Sequence, residues 1–112
     1  MRILITGAAS FLGRHLVEHF LKKGDTVLAL ARENAAGKEA IEKYKKNDNF
    51  RLIVLDMKEI ENLECDFDIC IHLAWGGIGK EGRMDKDIQR ENIEASINLM
   101  KVCKKRKAKR FL

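Results

Sequence analysis

The chain has 112 residues, with 22 Lys and Arg against 17 Asp and Glu, a net charge of +5, 46% hydrophobic residues and no proline. That length holds one small domain, the balance of apolar and charged residues is that of a soluble globular protein, and no apolar run approaches the roughly 20 residues of a membrane span. Cys65, Cys70 and Cys103 are odd in number and lack Cys-x-x-Cys spacing, which favours reduced, partly buried thiols over disulfides or a metal centre. The first residues pass straight into a strand with no signal-peptide layout, so the cytoplasm is the expected compartment.

The first element is the short apolar run Ile3, Leu4 and Ile5, broken by Thr6 and Gly7. A helical pattern then starts at Phe11, with Phe11, Leu12, His15, Leu16, His19 and Phe20 at helical spacing as far as Lys23-Gly24. A strand that stops in a glycine turn and opens into a helix presents unpaired N–H groups at the positive end of the helix dipole, where a phosphate is favoured. Gly7 permits the tight turn and Gly13 lets helix and strand pack closely, so this segment predicts a dinucleotide site. Between them Ser10 stands where a third glycine often sits. Its hydroxyl can donate to a phosphate oxygen, or its Cβ can hold the backbone away; both remain open. His15 and His19 share a helix face, but no third ligand accompanies them and no metal site is expected.

Thr26 to Ala31 reads as a second strand, followed by a polar helix from Asn34 to Lys46 with Ala36, Ala40, Ile41 and Tyr44 on one side. A third strand spans Phe50 to Leu55, a short helical piece Met57 to Leu63, and a fourth strand Phe67 to Ala74, in which His72 reads as a positioned core histidine. Trp75 to Arg83 is a glycine-rich loop. Asp85 to Lys105 predicts a long helix with Ile88, Ile93, Ile97 and Met100 on its buried face, and Lys109 to Leu112 the beginning of a fifth strand. Alternating strands and helices imply a parallel sheet covered on both faces. Right-handed crossovers then give a Rossmann-type doubly wound α/β fold with strand order 3-2-1-4 and a truncated fifth strand. The unfinished edge of the fourth strand predicts a homodimer or poor stability.

Two charge features bear on partners. Lys101, Lys104, Lys105, Arg106, Lys107, Lys109 and Arg110 crowd the C-terminal stretch. With no aromatic residues between them, a solvated helix end is a better reading than nucleic-acid binding. At the end of the second strand, dinucleotide sites selective for NAD place an acid that a 2′-phosphate would meet unfavourably. Here that position is Ala31, followed by Arg32 and then Glu33, a pattern that leans to NADP over NAD.

Thr6-Gly-Ala-Ala-Ser-Phe-Leu-Gly13, Leu55-Asp56-Met57, Ile71-His-Leu-Ala74 and Asn92 stand in the order and spacing of the extended short-chain dehydrogenase/reductases. The chain resembles the N-terminal part of the cofactor domain in their NAD-dependent epimerase/dehydratase group, which acts on nucleotide sugars. The resemblance implies that Gly7, Ser10, Phe11, Leu12 and Gly13 line the pyrophosphate and that Asp56 and Met57 meet the adenine. It also implies that Leu73, Ala74 and Trp75 flank the nicotinamide-side ribose, and that Asn92 fixes backbone near the active site. Asp56 also suits a helix N-cap.

Chemistry in that family uses a Ser or Thr with a Tyr-x-x-x-Lys pair, whose lysine lowers the tyrosine pKa. The one tyrosine here, Tyr44, has Asp48 four residues on and lies on the wrong helix. The expectation is a cofactor-binding portion spanning residues 1–112 without catalytic residues, with a nucleotide-sugar substrate only in a full-length form. A small nucleotide-binding or redox-sensing module without catalysis and a basic-tailed interaction domain are the alternatives.

Overall fold

The computed structural model describes residues 1–112. In chain order they form β1 (Arg2–Thr6), α1 (Phe11–Lys22), β2 (Thr26–Ala31), α2 (Lys38–Glu42), β3 (Phe50–Val54), β4 (Ile69–His72), α3 (Lys80–Met84), α4 (Lys86–Lys105) and β5 (Arg110–Phe111). A 3₁₀ turn at Lys43–Lys46 continues α2, and a 3₁₀ segment at Met57–Asn62 follows β3. The five strands make one parallel sheet in the order β3-β2-β1-β4-β5. β1 is central: Leu4 lies between Leu28 and Cys70, and Ile5 between Ala29 and Ile71.

Alternation along the strands feeds two cores, because successive side chains point to opposite sheet faces. Leu4, Leu28, Leu30 and Cys70 meet Leu99, Val102 and Cys103 of α4, with Ile60, Leu63 and Phe67 closing that layer. Ile3, Ile5, Val27 and Ala29 meet Val17 of α1, Ile41 of α2 and Phe50 on the other. Helices thus cover both faces, as the alternation of elements predicts.

Several details differ from expectation. The helix expected over Asn34 to Lys46 is confined to Lys38–Glu42 and its 3₁₀ continuation, and α3 interrupts the glycine-rich loop. β5 pairs Arg110 with Ile69 and Phe111 with Cys70. Leu112 N–H donates to the Cys70 carbonyl, and His72 N–H donates to that of Leu112, both at 2.8 Å. The edge of β4 is therefore occupied by β5 and does not stand open for a second copy, contrary to the expectation from the sequence. The largest correction concerns α4. Leu99, Val102 and Cys103 are its buried residues, whereas Ile93, Ile97 and Met100 are 54%, 49% and 54% exposed.

Two helices end in the same hydrogen-bond pattern with different residues at the left-handed position. After α1, Gly24 has φ +88°, with Gly24 N–H donating to Leu21 and Asp25 N–H to Phe20, each at 3.0 Å. After α4, Lys107 takes that place at φ +58°, with Lys107 N–H donating to Lys104 at 3.1 Å and Ala108 N–H to Cys103 at 2.9 Å. Of the terminal basic run only Arg106 is drawn inward, donating to the Leu63 carbonyl at 3.1 Å and pairing with Asp66 at 3.5 Å; the lysines and Arg110 are exposed. All three cysteines are buried and free. Burial pushes the Cys65 thiol up, and a hydrogen bond with Cys103 together with burial pushes Cys70 up. No helix is long and apolar enough to cross a membrane.

Candidate dinucleotide-binding site

The site grows from the turn between β1 and α1. Gly7 has φ +65°, and a Cβ there would come within 2.8 Å of Ala74 N and Leu73 C. The turn and the end of β4 are therefore in backbone contact. Gly13 is buried; a Cβ there would overlap the Gly7 carbonyl and lie 2.8 Å from Ala8 Cα. Both glycines are thus demanded by close approach, as the spacing predicts.

Ser10 is the N-cap of α1: its Oγ accepts from Gly13 N–H at 3.0 Å. That bond satisfies one of the donors the helix leaves free and leaves the hydroxyl proton available. The N–H groups of Phe11 and Leu12 have no acceptor in the protein, and the two residues are 72% and 53% exposed. Two open N–H donors at the positive end of a 12-residue helix, beside a turn whose Gly7 leaves no room for a Cβ, fit a pyrophosphate.

The other expected residues sit at the strand ends. Asp56 caps the 3₁₀ segment, accepting from Lys58 N–H at 2.9 Å, and is exposed. Met57 beside it packs against the Leu4 core. Arg32 follows β2 and is exposed, and Glu33 next to it pairs with Lys38 at 3.2 Å. Leu73 packs against the Ile5 core. Trp75 is 48% exposed, its indole N–H donating to Gln89 Oε1 at 3.1 Å. Gly7, Gly13, Leu73 and Ala74 are thus brought together; Asp56, Met57 and Arg32 lie at the ends of β3 and β2, along the same carboxyl edge of the sheet. Tyr44 sits on the 3₁₀ turn after α2 with its ring 5.8 Å from Phe50.

A polar face of α4 holds the loop after β4. Asn92 clasps Gly76, its Nδ2 donating to the Gly76 carbonyl and its Oδ1 accepting from Gly76 N–H, both at 2.9 Å. Gln89 accepts from Trp75 and from Asn92 and donates to the Gly82 carbonyl at 3.1 Å. Ser96 Oγ lies 2.9 Å from His72 Nε2, and Thr6 Oγ1 lies 2.7 Å from His72 Nδ1. Burial holds the His72 pKa below its ordinary value. Thr6, Gln89 and Ser96 are not singled out by sequence reasoning as side chains that hold the site. The signal for the last two was the recurrence of Gln89, Asn92 and Ser96 at helical spacing on one face.

Comparison with known proteins bears on the family and the fold. Residues 3–112 match the model of the NAD dependent epimerase/dehydratase family. A UDP-glucose 4-epimerase of Caenorhabditis elegans is 33% identical across the whole chain, which covers 37% of that protein. A UDP-glucuronic acid decarboxylase of Arabidopsis thaliana is 34% identical over 74 residues, 66% of this chain and 16% of the relative. Among solved structures, a UDP-galactose 4-epimerase superposes with a TM-score of 0.82 at 21% identity, over 99% of this chain and 37% of that one. The Thermus thermophilus UDP-glucose 4-epimerase, solved in complex with NAD, gives 0.78 at 25% identity, over 99% and 36%. The chain thus spans well under half the length of these relatives. By its glycine turn, its sheet order and the match over residues 3–112, the chain belongs to the NAD dependent epimerase/dehydratase family.

Proposed function

We propose that residues 1–112 are the N-terminal part of the NAD(P)-binding domain of a cytoplasmic oxidoreductase of the nucleotide-sugar epimerase or dehydratase kind. These residues hold the dinucleotide and provide no Tyr-x-x-x-Lys pair for proton transfer. The observation that carries this reading is the backbone contact of Gly7 with Leu73 and Ala74, beside the open N–H groups of Phe11 and Leu12. Ligands of doubly wound sheets bind beyond the strand ends where strand order reverses, which here is between β1 and β4.

In this reading Gly7, Ser10, Phe11, Leu12 and Gly13 line the pyrophosphate. Asp56 and Met57 meet the adenine, and Leu73, Ala74 and Trp75 flank the nicotinamide-side ribose. The bound dinucleotide would supply hydride transfer; the chain's own residues bind and orient it. A nucleotide sugar is the substrate of the full-length form, as the names of the epimerase and decarboxylase relatives suggest.

NADP is favoured over NAD. Arg32 is exposed directly after β2, free to meet a 2′-phosphate. The one acid beside it, Glu33, is engaged by Lys38, which offsets its repulsion. Titration with NADP⁺ and NAD⁺, followed by Trp75 fluorescence and calorimetry, tests both points. NADP⁺ should bind more tightly, and Arg32→Ala should weaken NADP⁺ by about tenfold or more while leaving NAD⁺ nearly unchanged. No saturation by either dinucleotide at millimolar concentration would overturn the reading.

A further inference from the structure

Between β1, β4 and α4 the polar atoms form a chain in which each proton has one consistent place. Thr6 Oγ1 accepts from the N–H groups of Leu73 at 3.0 Å and Ala74 at 3.2 Å, which occupies both of its lone pairs. Its own proton is left for His72 Nδ1 at 2.7 Å. At the other end Ser96 Oγ donates to the Asn92 carbonyl at 2.9 Å, so in its 2.9 Å contact with His72 Nε2 the ring is the donor. Both ends require the same ring, neutral and protonated on Nε2.

We propose that His72 is a positioning residue of the dinucleotide site: its neutral ring, protonated on Nε2 toward Ser96, accepts the Thr6 hydroxyl hydrogen bond at Nδ1, which turns the Thr6 lone pairs to the Leu73 and Ala74 N–H groups and fixes that segment against the Gly7 turn. The effect on binding rests on the dinucleotide reading above; the tautomer and the order of the segment do not. A doubly protonated ring would bring a third donor to Thr6 Oγ1, whose lone pairs are taken. One of the two backbone N–H groups must then be released, and the Thr6 proton loses its acceptor. The groups facing His72 are Thr6 from β1, Ser96 from α4, the Phe111 ring of β5 at 6.0 Å and the Leu112 carbonyl on its backbone N–H. None of these side chains is charged, so nothing among them rewards the imidazolium.

Nitrogen-15 NMR of the His72 ring, with hydrogen exchange of the Leu73 and Ala74 amides across pH, tests this on the intact chain without any ligand. The wild type should show the Nε2–H tautomer at pH 7, and the Ala74 amide, held by Thr6 Oγ1 alone, should lose protection as the ring protonates, while the Leu73 amide keeps the Thr6 carbonyl at 3.2 Å. His72→Asn places its amide near Nδ1, keeps the bond from Thr6 and gives up Ser96. It should retain protection without the pH step and bind NADP⁺ within about threefold of wild type. His72→Gln reaches Ser96 but not Thr6; its Ala74 amide should exchange about tenfold faster and NADP⁺ should bind about three- to tenfold more weakly. An Nδ1–H tautomer, a charged ring at pH 7, or a pH step surviving in His72→Asn would overturn the proposal. If the wild type binds neither dinucleotide, the cofactor reading fails alone, and the ring and exchange data still decide the positioning role.

Discussion

Replacing Gly7 by alanine probes the join between the glycine turn and the end of β4, and Gly24 supplies its control. Gly7 lies at φ +65°, where a Cβ would sit 2.8 Å from Ala74 N and Leu73 C and 3.0 Å from Ala74 Cα. Left-handed backbone costs a residue with a Cβ about 1–2 kcal/mol. The overlap adds roughly 1–3 kcal/mol, as other overpacked sites do, because the opposing atoms are backbone and the Thr6 hydroxyl pins them. Gly24 has φ +88°, and a Cβ there meets nothing within 4 Å, so Gly24→Ala incurs the backbone cost alone. The difference between the two variants isolates the overlap. At about 4–8 °C per kcal/mol for a domain near this size, Gly7→Ala should melt roughly 5–20 °C below Gly24→Ala in circular dichroism scans. Equal melting temperatures would refute the close approach on which the site is built.

Lys107→Gly should stabilise the chain by about 0.5–1 kcal/mol, the left-handed strain relieved less the extra freedom glycine gains when unfolded. A melting temperature below wild type would contradict that strain. His72 gives stability a pH dependence of defined sign. Its folded pKa lies below the ordinary 6.5, so the unfolded chain takes up the proton first. The contribution is present above pH 6.5 and is lost as pH falls through the folded value. Between pH 7.5 and 5 the wild type should therefore lose more stability than His72→Asn, and an equal loss in both would exclude the linkage.

The strand and helix order and the glycine turn were legible in the sequence because each rests on short-range cues: apolar runs, Gly7, Gly13 and Gly24. The buried face of α4 was not. Its stripe against the sheet and the loop is Asn92, Ser96, Leu99 and Cys103, at steps of four, three and four. The neighbouring stripe Ile93, Ile97, Met100 has the same steps, is wholly apolar and faces outward. Displacement by one residue turns the helix by about 100°, and apolar periodicity alone selects the wrong stripe. Half of the true one is polar because Asn92 and Ser96 hold Gly76 and His72. Polar contacts to the loop and to β4 thus displaced hydrophobicity from the pattern that would have revealed the packing. Asp56 was legible as a cap, since an acid before a helical piece is a local signal. The tautomer of His72 was not, because it depends on Thr6, 66 residues away in the chain, and on Ser96.

The central place of β1 has a consequence in time. Ile3 pairs with Val27 on one side and with Ile69 on the other. During synthesis at roughly 5–20 residues per second, the second neighbour of the first strand is made about 2–8 s after β2. Throughout that interval the second edge of β1 stands unpaired, and the contacts that close it are the slow, non-local kind. β1 is thus closed on its second side only when β4 arrives, and until then the Gly7 turn rests on β2 and α1 alone, without the Leu73–Ala74 backbone it meets in the finished fold.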